Sequence, residues 1–161
     1  RENELQGKAR RAGVRTPLAL ISFETEDEKK YFIMEKIIGN NIEEIIGTPS
    51  KLPESFSYEI FIKDLEDQIK KLHNAGIYHR DLHIRNVMIN EEGLPVIIDF
   101  GTATEGTGSD NTYEEYASKF NPVTGRYEQV EGIFNDDIKM FRNLKSALAP
   151  VVLQVALTRN N

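Results

Sequence analysis

The chain contains no cysteine, which removes disulfide frameworks and thiolate metal sites. That composition fits a reducing compartment, and a cytoplasmic setting is the expectation. No apolar run approaches the roughly 18–20 residues needed to cross a bilayer. No secretory leader pattern is visible either, so no membrane partner is expected. Clustered positive charge is also scarce. The one dense basic group is Lys8, Arg10, Arg11 and Arg15, in a chain of net charge −6, and it reads as a solvated helix face. Nucleic acid, whose phosphates demand many basic contacts, is therefore not an expected partner. The three histidines, His73, His79 and His83, stand near no ligand set that would make a zinc site.

What is present is ordinary for a single soluble domain: 161 residues, 39% apolar and 29% charged. Leu5, Ala9 and Ala12 recur at helical spacing and predict a helix over 2–12, stopped by Gly13 and kept stopped by Pro17. Residues 18–23 and 31–34 predict two strands of a hairpin around a charged turn. Gly39-Asn40-Asn41 reads as a break before a short helix around 42–46. Ile62, Leu65, Ile69 and Leu72 share one face of a helix expected over 55–75, which Gly76 ends. Two apolar runs, 87–89 and 96–98, flank the turn Asn90-Glu91-Glu92-Gly93 and predict a second hairpin. Residues 102–132 show little periodicity and read as a long loop. A helical pattern returns over 136–157, with a break expected at Pro150.

The chemistry concentrates in residues 77–101. Asp81 and Asn86 lie five apart in a short loop after a helix, and Asp99 follows an apolar strand and precedes Phe100-Gly101. Carboxylate and amide oxygens at loop positions suit a hard cation such as Mg²⁺. The segment His79-Arg80-Asp81 with Asn86, followed 18 residues after Asp81 by Asp99-Phe100-Gly101, resembles the catalytic loop and metal loop of the protein-kinase superfamily. The resemblance implies an α+β, protein-kinase-like fold, with a mostly helical large lobe and the C-terminal part of the small β lobe. In these terms 1–34 would be the remainder of the small lobe, 35–40 the hinge and 41–161 the large lobe. It implies ATP and Mg²⁺ as cofactors, and transfer of the γ-phosphate to a Ser or Thr hydroxyl of a protein substrate.

Roles carry over residue by residue. Asp81 would accept or orient the hydroxyl proton, and Asn86 and Asp99 would hold the metal ions. Arg85 stands four after Asp81, where tyrosine kinases carry Arg, and is counted with Asp81 and Asn86 among the catalytic candidates. His79 would support the loop from within, and Arg80 would either pair with an anion or remain solvated. Met34 would line the back of the adenine pocket, Glu35 and Ile37 would offer backbone groups to the base, and Met88 would form its floor. Glu2, with Glu4 as rival, would pair with the ATP-positioning lysine. Asp137, or its neighbour Asp136, would accept hydrogen bonds from the catalytic-loop backbone. The helix leading to Gly13-Val14 and Pro17 further resembles small atypical kinases of the RIO type and of the KEOPS complex.

The pattern also departs from that family. No Gly-rich loop or anchoring lysine precedes Glu2, and no Ala-Pro-Glu follows Gly101. The chain opens on Arg1 rather than Met. The expectation is that residues are missing upstream and that the 161-residue piece alone binds nucleotide weakly and transfers phosphate poorly. His83 stands two after Asp81, where Ser/Thr kinases carry Lys, and Asp81-Leu82-His83 also resembles aminoglycoside and choline phosphotransferases. A small-molecule kinase, with Glu105, Asp110, Glu114 and Glu115 supplying acidic groups, is thus the second reading. A pseudokinase that serves a complex partner is the third.

Overall fold

The computed structural model describes residues 2–106, 118–123, 125–129 and 137–160. Helix α1 (Glu2–Arg11) carries Glu2 and Glu4 in its first turn and Lys8, Arg10 and Arg11 in its last, which complements the helix dipole at both ends. It ends in a Schellman closure. Gly13 at φ +95° donates to Arg10 O at 3.0 Å, and Val14 donates to Ala9 O at 3.0 Å. Val14, Leu5 and Ala9 are buried together.

The exit from α1 is fastened to the rest of the molecule. Arg15 Nη1 donates to Asp64 Oδ1 at 2.7 Å and to Pro95 O at 2.8 Å, and the Arg15 amide donates to Gln68 Oε1. Next to it Thr16 is 1% exposed, and its hydroxyl finds no hydrogen-bond partner among the described residues. A buried, unpaired hydroxyl costs free energy that a methyl group does not. Thr16→Val is therefore expected to stabilise the protein by about 1 kcal/mol, read as a higher urea midpoint. A lower midpoint would mean that the hydroxyl is hydrogen-bonded in solution.

Strands β1 (Ala19–Glu24) and β2 (Lys30–Met34) form the expected antiparallel hairpin, with Ile21 opposite Ile33 and Phe23 opposite Tyr31. Residues 39–41, read as a break, form a short strand, β3 (Gly39–Asn41). It pairs with β5 (Val87–Asn90), which pairs in turn with β6 (Pro95–Ile97). Gly39 permits this approach: a Cβ there would stand 2.1 Å from Ile89 O. Asn41 then caps α2 (Ile42–Gly47), accepting from Glu44 N–H at 2.8 Å while Glu44 Oε1 accepts from Asn41 N–H at 3.0 Å. A 3-10 turn, Pro49–Lys51, follows.

Helix α3 (Tyr58–Asn74) starts at the Ser57 cap, three residues later than expected. Its buried stripe is Phe61, Leu65, Gln68, Ile69 and Leu72. Strand β4 (Ile77–Tyr78) pairs with β7 (Thr104–Glu105), which returns the chain beside the end of α3. The segment read as one long loop is also interrupted by a hairpin of β8 (Ser118–Asn121) and β9 (Arg126–Gln129). A two-residue strand carries no period, and Ser118–Asn121 and Arg126–Gln129 each hold a single aromatic side chain among polar ones, so no apolar alternation registers.

Helix α4 (Asp137–Arg159) runs unbroken through Pro150, where a break was expected. Proline removes one amide donor and crowds the preceding turn. Phe141, Leu144, Leu148 and Val155 are buried on both sides of it, and this packing holds the helix together across the defect. The core lies between α2, α3, α4 and the three-stranded sheet, around Phe61, Leu65, Leu72, Ile97, Leu144 and Leu148.

Candidate active site

The turn after β4 carries residues 79–81. Arg80 holds φ +71° and Asp99 φ +61°, left-handed conformations that cost a non-glycine residue about 1–3 kcal/mol and require support from the surroundings. For Arg80 that support is Asp137, the first residue of α4. Its Oδ1 accepts from Arg80 N–H at 2.8 Å. Its Oδ2 accepts from His79 N–H at 2.9 Å and lies 2.9 Å from His73 Nε2. His79 is fully buried. Its Nε2 lies 2.8 Å from Ile98 O, its Nδ1 accepts from Asp81 N–H at 3.2 Å, and its ring meets Phe100 edge-on at 4.9 Å. One imidazole thereby ties the loop before Asp81 to the strand end before Asp99.

Burial pushes the His79 pKa below its ordinary value. Burial pushes the Asp137 carboxyl up, but the His73 hydrogen bond and the Arg80 amide outweigh it and hold that pKa below its ordinary value. Both shifts have the same sign for stability. Between the native and unfolded pKa of each group the unfolded chain binds more protons, so stability falls as pH falls. The His79 contribution declines first, below about pH 6.5, and the Asp137 contribution below about pH 4. The expected urea midpoint is flat near neutrality and drops in those two windows. A midpoint constant down to pH 5 would mean that native His79 takes up a proton.

Asp81, half-buried, points toward Asn86. Asn86 Nδ2 donates to Asp81 O at 2.8 Å and to Asp81 Oδ2 at 3.1 Å, which leaves the amide oxygen as the group Asn86 can offer a cation. Arg85 is exposed, and its Nε lies 3.5 Å from Glu43 Oε2 on α2, so the structure does not bring its guanidinium to Asp81. Arg80 Nε donates to Thr104 Oγ1 at 2.6 Å, and its guanidinium sits 5.7 Å from the centre of the Tyr78 ring.

Asp99 faces a cavity of about 330 Å³ lined by Glu2, Pro17, Met34, Glu35, Ile37, Met88, Ile98 and Asp99. Gly101 makes room beside it: its amide donates to Asp99 Oδ1 at 3.1 Å, and a Cβ there would stand 3.1 Å from Asp99 Oδ1 and 3.8 Å from Glu2 Oε2. Burial first, and then the charge of Asp99, raise the Glu2 pKa. Of the two rival glutamates, Glu2 is the one that lines this cavity with Asp99. Glu4 lines a larger cleft of about 540 Å³ together with Arg10 and Arg11. Glu35 N–H donates to Leu18 O at 2.8 Å, so that amide is already engaged within the protein. The apolar lining from Pro17, Met34, Ile37, Met88 and Ile98 suits a flat ring, and Glu2, Glu35 and Asp99 add carboxylates to the same cavity.

Sequence reading missed His73, Pro17, Ile98 and Thr104. No local signal marks them, because each reaches its place through tertiary pairing. Asp136, Asp110, Glu114 and Glu115 lie outside the described residues. Among the described residues no helix is long and apolar enough to cross a membrane, and no three His, Asp or Glu side chains gather into a metal cluster.

Comparison with known proteins gives a consistent result. The family model of the protein kinase domain matches residues 9–128. A probable serine/threonine-protein kinase of Clostridium perfringens is 31% identical over 116 residues, which is 70% of this chain and 16% of the relative. The hormonally up-regulated neu tumor-associated kinase of Homo sapiens is 34% identical over 101 residues, 63% of this chain and 14% of the relative. CBL-interacting serine/threonine-protein kinase 17 of Arabidopsis thaliana is 34% identical over 73 residues, 45% of this chain and 17% of the relative. The chain thus spans well under a fifth of the length of these relatives.

Proposed function

The chain belongs to the protein kinase domain family, and from that premise we propose that it is the catalytic part of an ATP-dependent protein kinase acting on Ser or Thr hydroxyls. The observation that carries the reading is that two pairs lie on segments joined where Ile98 N–H donates to Asn86 O at 3.0 Å. Asp81 and Asn86 are in direct contact in one loop, and Asp99 and Glu2, both beside Gly101, line the same cavity as Met34, Glu35, Ile37 and Met88. Adenine would occupy the apolar part of that cavity. Asp81 would orient the acceptor hydroxyl and take its proton, and Asp99 with the Asn86 amide oxygen would hold Mg²⁺. The donor set fits that ion, because two protein oxygens leave the remaining positions to phosphate and water. Bound there, Mg²⁺ would neutralise phosphate charge. In this reading residues 1–34 belong to the small lobe, 35–40 to the hinge and 41–161 to the large lobe. The α1–Gly13-Val14–Pro17 segment supports the finer placing among small atypical kinases.

The test is incubation with Mg²⁺ and γ-labelled ATP in the presence of protein acceptors, aminoglycosides and choline. Label on protein Ser or Thr is the expected result. Label on aminoglycosides or choline alone would move the assignment to small-molecule kinases, a reading that Asp81-Leu82-His83 favours. Nucleotide binding without transfer to any acceptor would leave a pseudokinase that acts through a complex partner.

A further inference from the structure

Asp81 is the only carboxylate in the loop 79–86, and both of its oxygens have a neighbour from that loop. Asn86 Nδ2 donates to Oδ2 at 3.1 Å. His83 Nε2 stands 3.4 Å from Oδ1. The other nitrogen of that ring, Nδ1, accepts from Arg85 N–H at 3.1 Å. Nε2 faces two groups, Asp81 Oδ1 and, also at 3.4 Å, Asn86 Nδ2, which can only donate. A neutral imidazole carries a single proton, so an Nδ1 that accepts at the shorter 3.1 Å places hydrogen on Nε2, which then serves Asp81 rather than Asn86. The Arg85 side chain lies toward Glu43, so its amide is the part of Arg85 that acts here.

We infer that His83 is a positioning residue for Asp81, an inference that rests on the phosphotransferase reading above. The terminal torsion of an aspartate is broad, so its carboxylate plane is set only by what holds the two oxygens. With Asn86 on one oxygen and His83 on the other, the plane is held from both sides, and an acceptor hydroxyl meets one orientation of the base. A proton acceptor misplaced by an ångström costs up to about 10²-fold in rate. The 3.4 Å separation is long for a finished hydrogen bond, and such contacts tighten when substrate is bound.

The experiment uses the full native chain carrying His83→Ala or His83→Gln. Glutamine offers an N–H near the position of Nε2, and alanine offers none. His83→Ala is expected to lower kcat about 10–10²-fold, with KM for MgATP and the melting temperature unchanged, and His83→Gln is expected to restore most of the loss. An alanine variant with wild-type kcat, or a glutamine variant as slow as alanine, overturns the assignment. A second readout needs no turnover. Imidazole nitrogen-15 shifts are expected to place the His83 hydrogen on Nε2, and hydrogen on Nδ1 overturns the assignment. Should the unsubstituted chain phosphorylate no acceptor, the phosphotransferase reading fails, and the imidazole spectrum still decides the place of His83.

Discussion

Asp81→Asn is expected to lower phosphate transfer about 10²–10⁴-fold while leaving nucleotide binding intact. The substitution keeps the shape of the side chain and removes its capacity to accept a proton. Asp81 does not line the cavity that holds Met34, Met88 and Asp99, so affinity for MgATP has no reason to change. Stability has little reason to change either. The Asp81 side chain is 31% exposed, and the loop is tied by contacts that the substitution spares: Asp81 N–H to His79 Nδ1, and Asn86 Nδ2 to Asp81 O. Single-turnover transfer, measured alongside nucleotide affinity and thermal melting, separates the three quantities. A variant that retains transfer would mean that the hydroxyl proton leaves by another route and that Asp81 serves only the loop.

Asp137→Asn is expected to destabilise the fold by about 3 kcal/mol, although Asp137 would touch neither nucleotide nor acceptor. Three groups converge on its two oxygens: the amides of His79 and Arg80, and His73 Nε2. Asparagine supplies one acceptor oxygen and turns an NH₂ group toward a donor. With Asp137 3% exposed, water cannot readily take the place of the lost acceptor. Arg80 would then hold its left-handed backbone without the contact that supports it. The melting temperature should fall by about 10 °C, at roughly 2–4 °C per kcal/mol for a chain of this size. Transfer should fall with it even at temperatures where the variant is folded, because Asp81 follows Arg80 directly. An unchanged melting temperature would show that the two amides find other acceptors.

Asp81, Asn86 and Asp99 were legible because the groups of one loop, and the loop after one strand, keep their order and spacing in sequence. The helices α1 and α3 were legible for a related reason: their apolar residues recur within a turn or two, and Gly13 and Gly76 stop them locally, whereas the Asn41 and Ser57 caps emerged only in the structure. β3, β4 and β7 were not, because two or three residues carry no period and their existence depends on a partner strand elsewhere in the chain.

His73 illustrates the limit most clearly. It lies 64 residues from Asp137, and nothing around it in sequence indicates that it joins the support of the loop that carries Arg80 and Asp81. The choice of Glu2 over Glu4 required knowing which side of α1 faces Asp99, and the continuity of α4 through Pro150 required knowing that Leu144, Leu148 and Val155 are buried around it.

By itself, then, the sequence determined the longer helices, two hairpins and the order of the polar groups proposed for the chemistry, because those rest on interactions between near neighbours in the chain. Tertiary structure alone decided which of those groups face one another and what holds Arg80 and Asp99 in their left-handed conformations. Such contacts form only when burial of α3, α4 and the sheet against one another offsets the entropy of bringing distant segments together.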